Sequence, residues 1–386
     1  MDSVVAQIKH LMQTADEVGR LNIRKTLQQV QSEFDSTNEV VHSLANLSLL
    51  PSILRVGADL NLFGSLCRHQ GSMSVNDLAK SSGASPQLLA RLLRYLASNN
   101  IVHEISEDQY EANKTTHSIA DPVGDGMLHF GFDVHGRIAQ VLPTFLAETN
   151  YQDITCVTKT PFQKAFNTEL ANFDWLVQHP ELFASLQKIM TSMKSADWIT
   201  GFDLIDQEAQ KVSSGPAEGF TKPFFVDVGG GYGHQCMMLA KKYPNLLDHL
   251  VLQDLPEAVK KLPPIEGVKA EAYDFFEKQP IIGAKFYYMR RIMHDWCDED
   301  ASKILRNVAA AMGPDSRILI DEVVLPRTGA HWRATMADIA MMAASAGKER
   351  SVPQWNALCE RSGLRVEHIH IYEPVTYTSI LVLGPH

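Results

Sequence analysis

A short apolar strand that runs straight into a glycine-rich loop limits the folds open to this chain more than any other feature. Residues 224–228 read Phe-Phe-Val-Asp-Val, which predicts a short buried strand, and residues 229–233 read Gly-Gly-Gly-Tyr-Gly. Glycines at the end of a strand let the backbone turn tightly and come close to a ligand. A dinucleotide site of G-x-G-x-x-G spacing would need a glycine where His234 stands, and no Gly-Lys-Ser/Thr of a P-loop follows.

Predicted strands and helices alternate from residue 223 onward. Apolar runs predict strands at 224–228, 250–253, 286–289 and 317–320, helices at 237–242, 256–262 and 299–312, and a closing pair of strands at 364–370 and 379–383. This rhythm predicts a doubly wound, Rossmann-like α/β domain with a parallel sheet, whose ligands sit at the carboxyl ends of the strands. The polar, Gly- and Ser-rich stretch 207–222 is predicted as a loop.

Two acidic positions follow the glycine loop at spacings that suit a nucleoside. Asp254 ends the second predicted strand, 21 residues beyond Gly233, where a carboxylate can accept both hydroxyls of a ribose. Asp274, followed by Phe275, is placed to bind an adenine amino group and cover the ring. Each carboxylate alone is better explained as a helix N-cap or a solvated loop residue, but their order after this loop favours a nucleoside site.

Residues 1–50 predict amphipathic helices. Val5, Ile8, Leu11 and Met12 recur at helical spacing, and similar stripes continue after a polar interval. Because these stripes have few partners nearby in sequence, they are predicted to pack against another domain or a second copy of the chain. A self-contained helical hairpin is the alternative.

Residues 51–120 fit a winged helix. The predicted parts are a helix over 53–63, a helix capped by Ser74 and ended by Gly83, a helix over 87–99 opened by Ser85 and Pro86, and a hairpin of 101–105 with 110–112. Such a module can bind DNA. The candidate recognition helix offers only Arg91 and Arg94, however, so a packing role is favoured.

Composition excludes several function classes. A formal net charge of −10 over 386 residues argues against a nucleic-acid partner. The five cysteines lack metal-ligand spacing, so free thiols and no metal are predicted. The sequence shows no secretory leader and no apolar run near the ~20 residues of a membrane helix. Together these features predict a cytoplasmic enzyme with no membrane partner.

Three domains are predicted: a helical dimerisation and winged-helix domain at 1–121, a helical connecting region at 122–206, and the Rossmann-like catalytic domain at 207–386. The connecting region is dense in aromatic and methionine side chains, which are usually core but can also wall a hydrophobic acceptor pocket. Its candidate pocket residues are His135, Trp175, Met190 and Met193. A buried core histidine is the alternative interpretation of His135.

One more segment narrows the range of possible functions. Residues 290–299 read Arg-Arg-Ile-Met-His-Asp-Trp-Cys-Asp-Glu. With the glycine loop and the acidic positions, this segment resembles the class I O-methyltransferases that use S-adenosylmethionine, of the plant and fungal caffeate and flavonoid type. The resemblance covers most of the chain and implies a homodimer formed through the N-terminal region, with a small aromatic or polyketide-type acceptor. It also implies cofactor contacts from Gly229, Gly230, Gly231, Asp254, Asp274, Phe275 and Arg290.

His294 is the candidate catalytic base by the same resemblance. Methyl transfer to a phenol of pKa about 10 needs a base near neutral pH, and such proton transfer contributes roughly 10²–10⁴-fold. Glu322 and Glu349 match the family's paired glutamates, which orient the imidazole and stabilise its cation. An isolated His-Asp pair would otherwise be a surface feature, and the family needs no metal.

Departures from the family pattern leave a second reaction open. The family commonly has Lys-Trp where this chain has Arg290 and Arg291, so Arg291 either reaches an acidic or enolic acceptor or lies on the surface. Some fungal members are pericyclases that dehydrate and cyclise a polyketide product, with the bound sulfonium as a fixed positive charge. Asp338 and Met341, on a predicted helix before Glu349, match positions that touch the acceptor.

Overall fold

The computed structural model describes residues 2–192, 197–214 and 222–386. The chain forms two compact units, Met1–Ala147 with Gln163–Lys194 and Glu148–Phe162 with Ser195–His386. Residues 122–206, predicted as one connecting region, therefore contribute to both units. Trp198 and Phe202, for example, belong to the core of the second unit.

The first unit is helical, with one small sheet. Its helices are α1 Asp2–Thr14, α2 Glu17–Phe34, α3 Thr37–Asp59, α4 Leu62–Arg68, α5 Val75–Ser82, α6 Pro86–Ser98, α7 Lys114–Ala120, α8 Pro122–Phe130, α9 Arg137–Glu148, α10 Pro161–Phe166, α11 Asn172–Val177 and α12 Pro180–Ser192. A π-helical turn, Gly131–Gly136, joins α8 to α9. The strands β1 Met73–Ser74, β2 His103–Ser106 and β3 Gln109–Glu111 form a sheet in the order β1-β3-β2.

The predicted winged helix is confirmed in outline. Ser74 accepts a hydrogen bond from the Asp77 N–H at the start of α5, and Gly83 ends that helix with φ 73°. The predicted single helix over 53–63 is wrong, because Asn61 takes the left-handed conformation with φ 50° and separates α3 from α4. Asparagine tolerates this conformation better than most residues. The break lets α4 bury Leu62 and Phe63.

The N-terminal helices leave most of their apolar side chains uncovered. Helices α1 and α2 bury no residue within the chain, and α3 buries only Gly57. The exposed apolar residues include Val5, Leu11, Val18, Leu27, Val30, Phe34, Val41, Leu44 and Leu47. A contiguous exposed apolar patch marks an interaction surface.

Helix α3 has 23 residues, and an 18-residue window within it has a mean hydropathy of 1.2, so by length and composition only it is long and apolar enough to cross a membrane. The sequence-based expectation concerned continuous apolar runs, and polar residues interrupt each such run in α3 while the average hydropathy stays high. Length and hydropathy alone do not separate a membrane span from a helix that packs on other helices.

The second unit is an α/β domain built on a sheet of parallel and antiparallel strands. Its strands are β4 Phe225–Val228, β5 Leu250–Asp254, β6 Val268–Ala272, β7 Phe286–Arg290, β8 Arg317–Leu325, β9 Arg350–Ser351, β10 Leu364–Glu373 and β11 Thr378–Pro385. Its helices are α13 Asp203–Ser214, α14 His234–Lys242, α15 Pro256–Val259, α16 Asp298–Ala309, α17 Trp332–Ser345 and α18 Val352–Arg361. Short 3₁₀ turns lie at Pro244–Leu246 and Met293–Asp295.

The strand order of this sheet places its ligand site. The order is β10-β11-β8-β7-β4-β5-β6, with β9 added beside β8. Strands β4 to β8 run parallel, whereas β11 pairs antiparallel with both β8 and β10. From β4 the chain proceeds through β5 to β6 on one side, then returns to β7 on the other. Ligands of doubly wound sheets bind at such a reversal, here outside the carboxyl ends of β4 and β7.

Both faces of the sheet are buried, which confirms the predicted fold class. Along β7, Phe286 and Tyr288 join one apolar core, while Tyr287 and Met289 join another. Successive strand residues point to opposite faces, so a strand covered on both sides is a continuous apolar run. Helices pack on each face, as in other doubly wound domains.

Several predicted elements differ in extent from the structure. Residues 207–214, predicted as a loop, belong to α13, because Ile205 and Ala209 on that helix pack into the sheet core beside Val212. Strand β6 was not predicted, since Lys269 and Glu271 interrupt its apolar residues and leave no continuous apolar run. Strand β8 extends to Leu325 and so includes Glu322, which the sequence places just after the strand.

Candidate active site

The glycine loop follows β4 and requires glycine at particular positions. Gly229, Gly231 and Gly233 have φ values of 70°, 56° and 75°, which L side chains rarely adopt. A Cβ on Gly229 would lie 2.5 Å from Ile292 Cδ1, whereas a Cβ on Gly231 would meet nothing within 4 Å. The loop is therefore packed tightly against Ile292 at Gly229 and is open at Gly231, an arrangement that lets a ligand lie against the backbone.

Asp254, the last residue of β5, lies beside this loop. Its Oδ2 accepts the Gly231 N–H at 2.8 Å and its Oδ1 accepts the Leu255 N–H at 2.7 Å. A carboxylate has about four lone-pair sites, so each oxygen keeps one for a further donor such as a hydroxyl. The side chain is half-exposed and is held in place before any ligand binds.

Asp274 and Phe275 follow β6 at the same edge of the sheet. Asp274 Oδ1 accepts the Phe276 N–H at 2.9 Å, which fixes the turn after the strand. One edge atom of the Phe275 ring lies 3.9 Å from the position of a Cβ on Gly229. The ring also packs edge-on against Trp296 at a centroid distance of 6.0 Å. Phe275 therefore borders the glycine loop, and its predicted contact with an adenine ring stays a prediction.

Asp227 is a buried carboxylate beneath the loop that the sequence analysis treated only as a strand residue. Its Oδ2 would lie 2.7 Å from a Cβ on Gly230. The Cys236 thiol is 3.9 Å from the same oxygen. Burial, followed by the negative charge of Asp254, raises the pKa of Asp227 to about 7. A positive ligand on the loop would favour the ionised form of this group.

Arg290, predicted as a cofactor contact, is engaged within the protein. Its guanidinium forms an ion pair with the buried Asp321, at 3.2 Å between Nη1 and Oδ2. Tyr288 and Tyr372 donate their hydroxyl hydrogens to the same carboxylate at 2.5 and 2.6 Å. This network joins β7, β8 and β10. A direct contact of Arg290 with the cofactor stays a prediction.

His294 lies in the 3₁₀ turn after β7 and contacts two buried glutamates. Its Nδ1 donates to Glu349 Oε1 at 3.0 Å. Its backbone N–H donates to Glu322 Oε1 at 3.3 Å, and Glu322 Oε2 lies 4.0 Å from Nδ1. The side chains of Glu322 and Glu349 are 1% and 2% exposed, and each keeps one buried oxygen with no hydrogen-bond partner. The structure thus brings the three predicted catalytic residues together.

The surrounding carboxylates decide the charge of this cluster. Burial lowers the pKa of His294, but the charges of Glu322, Asp295 and Glu349 together raise it to about 10. Burial has the opposite effect on a carboxyl group and raises the pKa of Glu322 to about 7, although the positive charge of His294 opposes this shift. The imidazole is therefore a much stronger base than an exposed histidine.

A clamp formed by the segment Gly347, Lys348, Glu349 and Arg350 holds the His294 turn. The Lys348 N–H donates to the His294 carbonyl at 2.9 Å, and a Cβ on Gly347 would lie 2.0 Å from that same oxygen. Arg350 is fully buried and donates to the carbonyls of Met293 and Trp296, each at 2.8 Å. These roles were not predicted from the sequence, because all of these contacts go to backbone carbonyls of a segment over 50 residues away.

The predicted acceptor residues of the second unit lie around this clamp. Arg291 has φ 53° and donates to Thr378 Oγ1 at 3.2 Å, while its Nη1 lies 3.9 Å from Glu322 Oε2. Asp338 on α17 accepts the Glu349 N–H at 2.9 Å. Met341 is half-buried on the same helix, and its carbonyl accepts the Gly347 N–H at 3.2 Å. Contact of these residues with an acceptor stays a prediction.

The remaining predicted acceptor residues belong to the first unit. His135 lies in the π-helical turn, 5.1 Å from Phe130 between ring centroids, and burial lowers its pKa. Trp175 stacks on His179 at 3.5 Å, and Met190 is exposed. Met193 lies outside the described residues. A pocket role for these four residues also stays a prediction.

The catalytic cluster has the composition of a metal site as well. One nitrogen of His294 and one oxygen each of Glu322 and Glu349 lie within 4.8 Å of one another. Imidazole with two carboxylates is a common ligand set for divalent metals. The sequence spacing of these three residues gives no sign of a metal site. The expectation of no metal stays a prediction.

Comparison with known proteins agrees with this geometry. An O-methyltransferase domain model matches residues 152–365, and an O-methyltransferase dimerisation domain model matches residues 42–118. The chain is 37% identical to demethylsterigmatocystin 6-O-methyltransferase of Aspergillus flavus over 97% of its length and 95% of the relative.

Two solved structures are similar over the whole chain. One is described as a pericyclic reaction enzyme and the other as LepI in complex with SAM; both have a TM-score of 0.90 and 33% identity. Each covers 100% of this chain, and the matched parts are 99% and 98% of those proteins. The matched domains, the relatives and the glycine loop beside the His294 cluster agree on one assignment. The chain belongs to the O-methyltransferase family and is an S-adenosylmethionine-dependent enzyme.

Proposed function

We propose that the enzyme methylates a phenolic or enolic hydroxyl of an aromatic or polyketide-type secondary metabolite, with His294 as the general base. The observation that carries this proposal is the 3.0 Å hydrogen bond from His294 Nδ1 to the buried Glu349. This bond fixes the imidazole so that Nε2 is the nitrogen left to take a proton. The relative named for 6-O-methylation of demethylsterigmatocystin supports an oxygen acceptor on a small molecule.

The residues at the glycine loop fit S-adenosylmethionine. Gly231 leaves an open backbone surface, and Asp254 keeps lone pairs for the ribose hydroxyls. Asp274 and Phe275 lie at the next strand end, where the adenine would bind. When bound, this cofactor supplies an electrophilic methyl group on a positively charged sulfur. We assign Gly229 and Gly230, with these residues, to its binding.

In this proposal His294 takes the proton of the acceptor hydroxyl. A phenol has a pKa of about 10, and the pKa of His294 is raised to about 10 as well. Proton transfer from the acceptor oxygen to the neutral imidazole therefore involves little change in free energy. Glu322 and Glu349 stabilise the imidazolium that forms. The same cluster needs no metal in this proposal, so dialysis against a chelator should leave methyl transfer unchanged.

The uncovered apolar surface of α1, α2 and α3 supports a homodimer formed through the N-terminal region. Part of α3 lies in the matched dimerisation domain, and α1 and α2 continue the exposed surface before it. A variant lacking residues 2–34 should have the mass of a single shortened chain in size-exclusion chromatography with light scattering. A mass of two shortened chains would contradict this interface. The acidic charge supports the absence of a nucleic-acid partner, and the five free thiols support a reducing compartment such as the cytoplasm.

A labelling experiment tests the reaction. The purified enzyme is incubated with methyl-¹³C S-adenosylmethionine and a panel of phenolic and enolic polyketide aglycones, and products are read by mass spectrometry. Label in a product oxygen substituent, dependent on His294, is expected. A His294→Gln sample and a sample without enzyme serve as controls.

A pericyclic or dehydration reaction is the second candidate, favoured by one comparison and one electrostatic feature. The solved structure described as a pericyclic reaction enzyme matches the whole chain at 33% identity. The raised pKa of His294 gives the free enzyme a cation that can polarise a carbonyl group. In the labelling experiment, this reaction predicts a converted metabolite without label, and only when the cofactor is present.

A further inference from the structure

We propose that Asp338 is a positioning residue for Glu349, through which it holds His294 in its reactive orientation, and this inference rests on the proposed role of His294. Asp338 lies on α17, 11 positions before Glu349 in the sequence. Its Oδ1 accepts the Glu349 N–H at 2.9 Å. The sequence-based role of Asp338, contact with the acceptor, makes a different prediction for every variant below.

The path of the chain between these two residues explains why such an anchor is needed. Helix α17 ends at Ser345, and the cap residue Ala346 takes the left-handed conformation with φ 57° and is fully buried. Gly347 then passes against the His294 carbonyl, and Lys348 donates to that oxygen. Glu349 must turn its carboxylate toward His294 Nδ1 while its own backbone N–H points away to Asp338. The Asp338 bond fixes the backbone from which the Glu349 side chain extends.

The environment of Asp338 fits a bond made to the protein. The side chain is half-buried, and burial followed by the charge of Glu349 raises its pKa, whereas the Glu349 N–H opposes that shift. Lys348, one of the two positive residues of the clamp, also favours the ionised form. A backbone donor is thus among the groups that keep Asp338 ionised next to another carboxylate. At metal sites, loss of a hydrogen-bond partner that orients a ligand commonly costs about 10- to 100-fold in affinity or activity, and we expect a similar range for the partner of Glu349.

Two substitutions separate the hydrogen bond from the charge. Asp338→Asn keeps an oxygen that can accept the Glu349 N–H, whereas Asp338→Ala removes the acceptor. We expect Asp338→Asn to retain kcat within about threefold and Asp338→Ala to lose about 10- to 100-fold in kcat, with the acceptor KM unchanged in both. Thr335→Ala on the exposed side of α17 is the matched control, since that hydroxyl bonds only within its own helix.

A direct readout of the imidazole makes the test independent of the reaction catalysed. The pKa of His294 is measured by NMR titration in enzyme with ¹³C-labelled histidine, without cofactor or acceptor. Because Glu349 raises this pKa, Asp338→Ala should lower it and Asp338→Asn should leave it in place. This result stands even if labelled cofactor shows no methyl transfer, so failure of the proposed function and failure of this inference are distinguishable.

A double-mutant cycle with Glu349→Gln tests the route of the effect. If Asp338 acts through Glu349, adding Asp338→Ala to Glu349→Gln should cause little further loss of kcat or shift of pKa. An unchanged His294 pKa in Asp338→Ala would overturn the inference. So would an equal rise in acceptor KM in both Asp338 variants, which would assign Asp338 to the acceptor. If Asp338→Ala does not fold by circular dichroism, Asp338→Leu, which also lacks an acceptor, replaces it in all measurements.

Discussion

The Glu349 carboxylate lies 3.0 Å from His294 Nδ1, although 55 positions separate the two residues in the sequence. Glu349 reaches this position because Gly347 and Lys348 run along the His294 turn and Asp338 anchors the Glu349 backbone. The imidazole is thereby fixed on one side by a buried carboxylate, which leaves Nε2 for proton transfer. The geometry of the base thus depends on a loop that follows α17, whereas the base itself follows β7.

The pH dependence of activity follows from the raised pKa of His294. Because activity needs imidazole that can take a proton, kcat/KM should rise with pH and level off toward about pH 10. In Glu349→Gln the charge that raises this pKa is lost, so the NMR titration midpoint of His294 should move to lower pH. NMR separates the imidazole from ionisation of the acceptor. An unshifted midpoint in Glu349→Gln would show that Glu349 does not set the pKa.

Asp254→Ala should weaken cofactor binding without affecting the catalytic cluster. Removal of a charged acceptor of hydrogen bonds costs about 1.5–3 kcal/mol, which is roughly 10- to 100-fold in Kd. Isothermal titration calorimetry with S-adenosylmethionine and with S-adenosylhomocysteine measures the change. Asp315→Asn, at an exposed loop of the same unit, is the control. Equal affinity in Asp254→Ala and wild type would remove Asp254 from the binding site.

Gly347→Ala should disturb the catalytic cluster through sterics alone. The added Cβ would lie 2.0 Å from the His294 carbonyl oxygen, and neither backbone segment can move without losing the Lys348 hydrogen bond. We expect kcat to fall by at least about tenfold, with a loss of about 1–3 kcal/mol in unfolding free energy. Gly131→Ala, where a Cβ meets nothing within 4 Å, should behave as wild type. A fully active Gly347→Ala enzyme would contradict the clamp.

Asp227 should make the stability of the protein depend on pH in a defined direction. Its pKa is raised to about 7 in the folded state, above an ordinary value of 3.8. The folded protein therefore binds this proton more tightly, so the stability contributed is present below about pH 4 and is lost as pH rises through about 7. Asp227→Asn carries no such charge. Its melting temperature relative to wild type should rise from pH 5 to pH 8, and a constant difference would contradict this assignment.

The sequence was sufficient where function depends on contiguous segments. The strand and glycine loop at 224–233 predicted the fold, and Asp254 ends β5 as expected. His294 follows the predicted strand 286–289, which places it at the carboxyl edge of the sheet, whereas the reversal of strand order beside it is known only from the structure.

The other features of the fold and of the site depend on contacts that local sequence patterns do not encode. The Asp338 and Lys348 hydrogen bonds involve backbone atoms, which no side-chain spacing reports. Helix α13 was not predicted, because most of its residues are polar and only a few apolar positions pack on the sheet. The break at Asn61 is a single-residue conformation that apolar periodicity passes over.

The most direct test of the account is a single-turnover measurement of methyl transfer by His294→Gln. The variant is first shown to bind S-adenosylmethionine with wild-type affinity by calorimetry, because His294 belongs to the proton-transfer cluster and not to the glycine loop. Transfer of the labelled methyl group from pre-bound cofactor to a saturating acceptor is then followed by rapid quench. The account predicts a rate about 10²- to 10⁴-fold below wild type. A rate within a factor of about three of wild type would show that His294 is not the base.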